Sequence, residues 1–208
     1  ISNKFISSKS VIKTLKSYTE KAPFRFLYIS TIHVYKNQWN VVEAVSKLRI
    51  KGYPVQLTLI GDIIYKPSGN LLNKAIKNVD PNHQFIEHIL NVPHNEISEF
   101  YQNHDGIIFA SSCENMPNIL LESMGAGKPI ACSDKRPMDE FLKSGGIYFN
   151  ARSVNSILDS LEKMLKSLKS FEAMNHQNKE ELKKYTWGNT SKETVNFIKD
   201  TLKRYNDV

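Results

Sequence analysis

The chain has 208 residues, 40% of them hydrophobic, which is enough to bury one ordinary core. Twenty-eight Lys and Arg against 21 Asp and Glu give a net charge of +7, which suits either an anionic partner or a solvated basic surface. Two cysteines do not indicate a disulfide framework, the first residues, ISNKFISSKS, lack the apolar core expected of a signal peptide, and no apolar run reaches the roughly 18 residues of a membrane span. The low cysteine count fits a reducing cytoplasm, and because residue 1 is Ile rather than Met, we expect a piece of a longer protein.

Short β-rich apolar segments alternate along the chain with longer segments of helical period. The predicted strands span residues 24–30, 55–61, 84–89, 106–111, 129–133 and 146–149. This alternation is typical of a parallel sheet with crossover helices. We therefore predict an α/β fold with a doubly wound, mostly parallel, six-stranded Rossmann-like sheet and a helical C-terminal tail.

Two helices have clear sequence signals. Apolar residues recur at helical spacing over 41–48, and Gly52 stands where a left-handed C-cap belongs. A longer apolar stripe over 154–168 predicts a second helix, opened by Ser153 or Asn155 as its cap.

Ligands of such sheets bind beyond the carboxyl ends of the strands. The loops there read STIHVYKN (30–37) after the first strand, GDIIYKPSGN (61–70) after the second, and SCENMPN (112–118) after the fourth. Neither GxGxxG nor GxxxxGK[ST] occurs anywhere in the sequence. This lowers the odds of an NAD-binding or P-loop protein.

The third loop leads into a predicted helix that begins at Pro117, runs through Glu122 and ends at Gly125 or Gly127. Its N-terminus faces the ligand crevice, where backbone N–H groups and the helix dipole favour a diphosphate. Glu114 before the helix and Glu122 within it can accept hydrogen bonds from a sugar and a ribose. The alternative is that Glu114 caps the helix and Glu122 is a surface residue.

The two glutamates, separated by NMPNILL, resemble the motif of the retaining, metal-independent glycosyltransferases of the GT-B fold. The resemblance extends through FYQNHDGIIFASSCENMPNILLESMGAGKPIACSD (100–134) and YTWGNTS (185–191), and it covers roughly residues 23–205. It implies the C-terminal half of such an enzyme. Residues 1–22 would be a linker or a remnant of the interdomain segment, 23–185 the nucleotide-sugar donor-binding domain, and 186–208 a helix that packs toward the N-terminal domain.

The resemblance also implies roles for single residues. Glu122 would bind the nucleotide ribose, and Glu114 would contact the transferred hexose near the reacting carbon. Lys36 would neutralise the diphosphate as its bond to the sugar breaks, which agrees with electrostatic stabilisation of a leaving group by a fixed cation. The backbone of three residues would meet phosphate or sugar: Met116, Pro117 and Asn118.

The sequence departs from the family pattern at three positions, one of which is Glu87 or His88 in the third-strand loop, where the family commonly has a glycine. Thr31 stands where the family usually has an arginine, five residues before Lys36, and His33 could replace that arginine by donating a hydrogen bond. Asn115 replaces the small residue that follows the first glutamate, so its side chain could narrow the sugar site or bind the sugar. We further expect Cys113 and Cys132 to be small core residues, and Trp39 and Trp187 to be packing anchors.

Together these features predict a bacterial-type glycosyltransferase that moves a hexose from a UDP- or GDP-linked sugar to a lipopolysaccharide, capsule or lipid-linked glycan. The resemblance implies no cofactor, no metal, a cytoplasmic location with peripheral membrane association, and no transfer by this chain alone. An isomerase or epimerase of nucleotide sugars with the same fold is an alternative. A nucleic-acid-binding domain is another, weakened because the basic residues are dispersed and lack interleaved aromatic residues.

Overall fold

A six-stranded, fully parallel sheet forms the centre of the computed structural model, which describes residues 15–206. The strand order is β3-β2-β1-β4-β5-β6. The strands are β1 (Phe24–Ile29), β2 (Val55–Ile60), β3 (Ile86–Ile89), β4 (Gly106–Phe109), β5 (Ile130–Ser133) and β6 (Ile147–Phe149). Each lies within two residues of its predicted bounds, and the predicted fold class is confirmed.

Eight helices connect and follow the strands in the described part of the chain. They are α1 (Gln38–Ile50), α2 (Lys66–Val79), α3 (Ile97–Asn103), α4 (Asn118–Gly125), α5 (Met138–Leu142), α6 (Val154–Lys166), α7 (Phe171–Leu182) and α8 (Trp187–Asn206). Two predictions need correction. The second loop is shorter than 61–70, because α2 begins at Lys66. The stripe over 154–168 breaks at Lys166, and Leu168 lies in a separate 3-10 turn, Leu168–Ser170.

Helices cover both faces of the sheet, so the core has two layers. Buried residues of α1, α2 and α6 pack on one face, and buried residues of α3, α4 and α5 pack on the other. The strands are therefore buried on both sides, which explains why they are nearly continuous apolar runs rather than alternating ones. This double winding leaves the loops at the carboxyl edge free to form a ligand site.

The predicted helix ends have the expected local geometry. Gly52 has a φ of +87°, and the N–H of Tyr53 donates to the carbonyl of Leu48 at 3.1 Å, which closes the end of α1. Of the two candidate caps for α6, Ser153 is the one observed. Its hydroxyl accepts from the N–H of Ser156 at 3.2 Å.

The predictions for the two cysteines and the two tryptophans have mixed outcomes. Cys132 is buried and Trp39 packs against the core, as predicted, but Cys113 is exposed because it lies in the loop beyond the end of β4. Trp187 is 81% exposed, so it is not a packing anchor in this chain. The described side chains of α8 are all exposed, so this helix does not pack Trp187 against the core.

Part of the predicted linker lies outside the described residues, which begin at Leu15. The described remainder contains a 3-10 turn, Leu15–Ser17, and a bridge between Thr19 and Ala22. Among residues 15–206, no helix combines the length and the apolar character that crossing a membrane requires.

Candidate active site

A cleft of about 540 Å³ opens at the carboxyl edge of the sheet. It is lined by residues from the loops after β1, β2, β3 and β4 and from the first turns of α4. The cleft includes the position between β1 and β4, where the strand order reverses direction. Doubly wound sheets bind their ligands at such a switch point.

The floor of the cleft depends on a close approach of two loops. Gly61 has a φ of +143°, and a Cβ at this position would lie 2.2 Å from the carbonyl oxygen of Ser30. The N–H of Ile32 donates to the carbonyl of Asp62 at 2.8 Å, which continues the β1–β2 pairing beyond the strands. Only glycine allows the two loops to meet this closely.

Lys36 lines the cleft and is buried. Its ammonium forms an ion pair with the carboxylate of Glu114 and lies 5.1 Å from the centre of the Tyr35 ring. Burying a charge is costly unless it is paired, so this arrangement accounts for how both ions are accommodated. The ion pair also joins the first loop to the segment before α4.

The backbone around Lys36 is fixed from two directions. The Tyr28 hydroxyl donates to the Lys36 carbonyl at 2.6 Å. Burial, reinforced by the charge of Glu114, raises the pKa of Tyr28 well above its ordinary value, so the phenol remains a donor. The next residue, Asn37, has a φ of 55°, and its amide donates to the carbonyls of Tyr35 and Ala110, both at 2.9 Å.

The N-terminus of α4 faces the cleft. The helix begins at Asn118, one residue later than predicted, and Pro117 is its N-cap. No side chain caps this end of the helix. The carboxylate of Glu114 pairs with Lys36 instead of capping the helix. The positive end of the helix dipole is therefore directed at the cleft without a side-chain carboxylate at the N-cap.

Glu122 lies in the second turn of α4 and also lines the cleft. Its side chain is 14% exposed, and one carboxylate oxygen lies 3.3 Å from Nε2 of His94. His94 belongs to the loop between β3 and α3. We call the part of the cleft at Glu114 and buried Lys36 its inner end, and the part at Glu122 and exposed His94 its rim.

Most of the residues predicted for the site converge on the cleft. The predicted residues that line it are Thr31, Lys36, Glu114, Met116, Pro117, Asn118 and Glu122. His33 and Asn115 are not among the lining residues. The His33 ring lies between Tyr35 and Tyr65, at centroid distances of 4.6 and 5.4 Å, and in the described part of the chain its Nδ1 has no hydrogen-bond partner.

Four polar residues of the lining were not predicted from the sequence: Ser30, Asp62, Asn91 and His94. The carboxylate of Asp62 accepts from the N–H of Asn91 at 2.8 Å and so joins the second and third loops. Their signal was available, because Asn91 and His94 follow the third predicted strand as the other site residues follow theirs.

A larger hollow, of about 810 Å³, runs along the open edge of the sheet beside β3. Its lining comes from β2, β3, the end of α2 and the turn that follows. We place the site in the smaller cleft, because the loops at the carboxyl ends of the strands converge there. Within residues 15–206, no group of three or more His, Cys, Asp or Glu side chains is arranged to hold a metal ion.

The fold and the cleft define a Rossmann-like domain with an anion-suited site at the carboxyl edge of its sheet. The family model "Glycosyl transferases group 1" matches residues 13–181, and the chain belongs to this family. The predicted resemblance is confirmed at this level. An uncharacterized glycosyltransferase of Methanocaldococcus jannaschii is 29% identical over 106 residues, which cover 50% of this chain and 27% of that protein.

Solved structures share the fold. A trehalose 6-phosphate synthase of Burkholderia multivorans has a TM-score of 0.81 at 12% identity and is similar over 90% of this chain and 44% of its own. The Anabaena protein HepE, solved in complex with UDP and glucose, has a TM-score of 0.75 at 12% identity over 86% of this chain and 48% of its own. The chain therefore spans less than half the length of these relatives.

Proposed function

We propose that this chain is the donor-binding domain of a glycosyltransferase that moves a hexose from a UDP- or GDP-linked sugar to a surface-polysaccharide or lipid-linked glycan, with retention of anomeric configuration and without a metal. The observation that carries the proposal is the arrangement of one cleft. The buried cation of Lys36, the carboxylates of Glu114 and Glu122, and the N-terminus of α4 all line it.

The proposed chemistry divides the cleft into a phosphate part and two hydroxyl-binding parts. The leaving diphosphate gains charge as the glycosidic bond breaks, and Lys36 together with the N-terminus of α4 stabilises that charge. An ammonium has three N–H donors, so Lys36 can keep its contact with Glu114 while it donates to phosphate. Glu114 is then placed beside the hexose, and Glu122 accepts from the ribose.

The comparisons support the choice of donor. HepE was solved with UDP and glucose, and its fold matches this chain over most of the described domain. UDP is therefore the first nucleotide to test and GDP the second. Thr31, at the position where the family usually has arginine, leaves Lys36 as the one Lys or Arg among the described lining residues.

The acceptor site is proposed to form between this domain and a second half of the protein. The matched solved proteins are more than twice as long as the segment they share with this chain. We therefore expect the 208-residue chain alone to bind nucleotide weakly and to transfer nothing. The full-length protein is proposed to act in the cytoplasm, with peripheral membrane association where its acceptor is lipid-linked.

Nucleotide binding is tested by ligand-observed NMR of UDP, GDP and their sugars with this domain. Binding of one nucleotide at submillimolar concentration is the expected result. No binding of any of them would overturn the proposal. Steep loss of DNA affinity with rising salt would favour the nucleic-acid alternative instead.

Transfer is tested with the full-length protein, a panel of glycan acceptors and the donor found above. We expect a glycosylated product with the anomeric configuration of the donor, and we expect EDTA to leave the rate unchanged because Lys36 and α4 take the place of a metal. Complete, magnesium-reversible loss in EDTA would contradict the mechanism. Conversion of the donor sugar without an acceptor would identify an isomerase.

A further inference from the structure

His94 is a cleft residue to which neither the sequence nor the family resemblance assigns a role. Its ring Nε2 lies 3.3 Å from a carboxylate oxygen of Glu122, and both side chains line the cleft. His94 is mainly exposed, whereas Glu122 is shielded. The contact joins the loop after β3 to the helix after β4, and its two residues lie 28 positions apart in the sequence.

The loop that carries His94 is held at several points. Gly61 donates its N–H to the carbonyl of Ile89 at 3.0 Å, and Asn91 donates its N–H to the carboxylate of Asp62 at 2.8 Å. Asn91 adopts a φ of 55°, which turns the chain sharply after β3. Beyond His94 the chain enters α3, whose first residue, Ile97, is buried in the core. His94 thus projects from a backbone that is fixed on both sides.

We propose that His94 is a positioning residue for nucleotide binding, which holds the Glu122 carboxylate ready for the ribose hydroxyls. This inference rests on the proposed function. The imidazole N–H donates to one carboxylate oxygen and leaves the second oxygen free to accept. A glutamate side chain has several torsions and loses rotamer freedom when a ligand fixes it. A carboxylate already held by His94 loses less of that freedom when the nucleotide binds.

The test compares ribose with a sugar that lacks its hydroxyls. Calorimetry on the full-length protein gives Kd for UDP and for 2′,3′-dideoxy-UDP with wild type, His94→Ala and His94→Gln. We expect His94→Ala to weaken UDP binding by about fivefold, the size of one hydrogen bond, and to leave dideoxy-UDP binding unchanged. His94→Gln, whose amide can donate in place of Nε2, should retain most of the UDP affinity.

The controls separate this role from a structural one. His176→Ala alters an exposed histidine on α7, outside the cleft lining, and should change neither Kd. Equal weakening of both nucleotides in His94→Ala would show that His94 acts on the loop or on another part of the nucleotide, and no weakening of either would show no role. Both outcomes overturn the inference while the proposed function stands. Failure of wild type to bind either UDP or GDP would overturn the proposed function and this inference with it.

Discussion

The inner end and the rim of the cleft each hold one glutamate paired with one basic residue, but the two pairs have different surroundings. The Lys36 and Glu114 side chains are 9% and 15% exposed. At the rim Glu122 is similarly shielded, but its partner His94 is 68% exposed. Charges in a site that excludes water interact more strongly than exposed ones. We therefore assign the inner pair to the reacting bond and the rim pair to nucleotide binding.

The largest expected effect comes from removing the cation of the inner pair. Lys36→Ala in the full-length enzyme should lower kcat by about 10²- to 10³-fold, the range for loss of one charge-stabilising group. Steady-state kinetics measure this effect. Lys74→Ala, which removes an exposed lysine of α2, should leave kcat unchanged. A nearly normal kcat in Lys36→Ala would contradict the proposal that Lys36 stabilises the leaving diphosphate.

A smaller kinetic effect is expected at Glu114. Glu114→Gln keeps the size of the side chain but removes the negative charge beside the anomeric carbon, where positive charge develops. We expect kcat to fall by about 10²-fold, with the Kd for UDP changed less than about twofold. A weakened Kd with unchanged kcat would instead place Glu114 in nucleotide binding.

Tyr28, which holds the backbone of Lys36, should affect the stability of the domain more than the rate of transfer. Tyr28→Phe removes the hydroxyl that donates to the Lys36 carbonyl and leaves this buried group unsatisfied. The free energy of unfolding should fall by about 1–3 kcal/mol, measured by chemical denaturation. Tyr205→Phe, at an exposed tyrosine of α8, is the matched control and should change nothing. Equal stability of the two variants would mean that Tyr28 does not hold the loop.

The fold and the positions of Glu114 and Glu122 could be predicted from the sequence because their signals are local, whereas the role of Lys36 was implied by the family resemblance. Apolar runs gave the strands to within two residues, and the seven-residue spacing of Glu114 and Glu122 placed both on α4 or just before it. The loop positions of His33 and Asn115 were equally visible, but the direction of a loop side chain depends on its neighbours. His33 packs beside the rings of Tyr35 and Tyr65 and is not part of the cleft lining.

The pairing of Glu122 with His94 could not be predicted in the same way, because it depends on a tertiary contact. Nothing near His94 in the sequence indicates that it meets Glu122. The predictions that Cys113 and Trp187 are buried were wrong for a related reason. The apolar residues near Cys113 did not reveal where β4 ends, and those near Trp187 did not reveal that α8 lacks a core to pack against in this chain.

The most direct test of the division between inner end and rim is calorimetry of UDP, or of GDP if that is the nucleotide bound, with two single variants. Glu122→Ala should weaken binding by about 1–3 kcal/mol, the range for a hydrogen bond to a charged group. Glu114→Ala should not weaken it, because Lys36 remains free to meet the phosphates. Both variants should stay folded in thermal melts. Equal losses of affinity in the two variants would contradict the division of roles between the two glutamates.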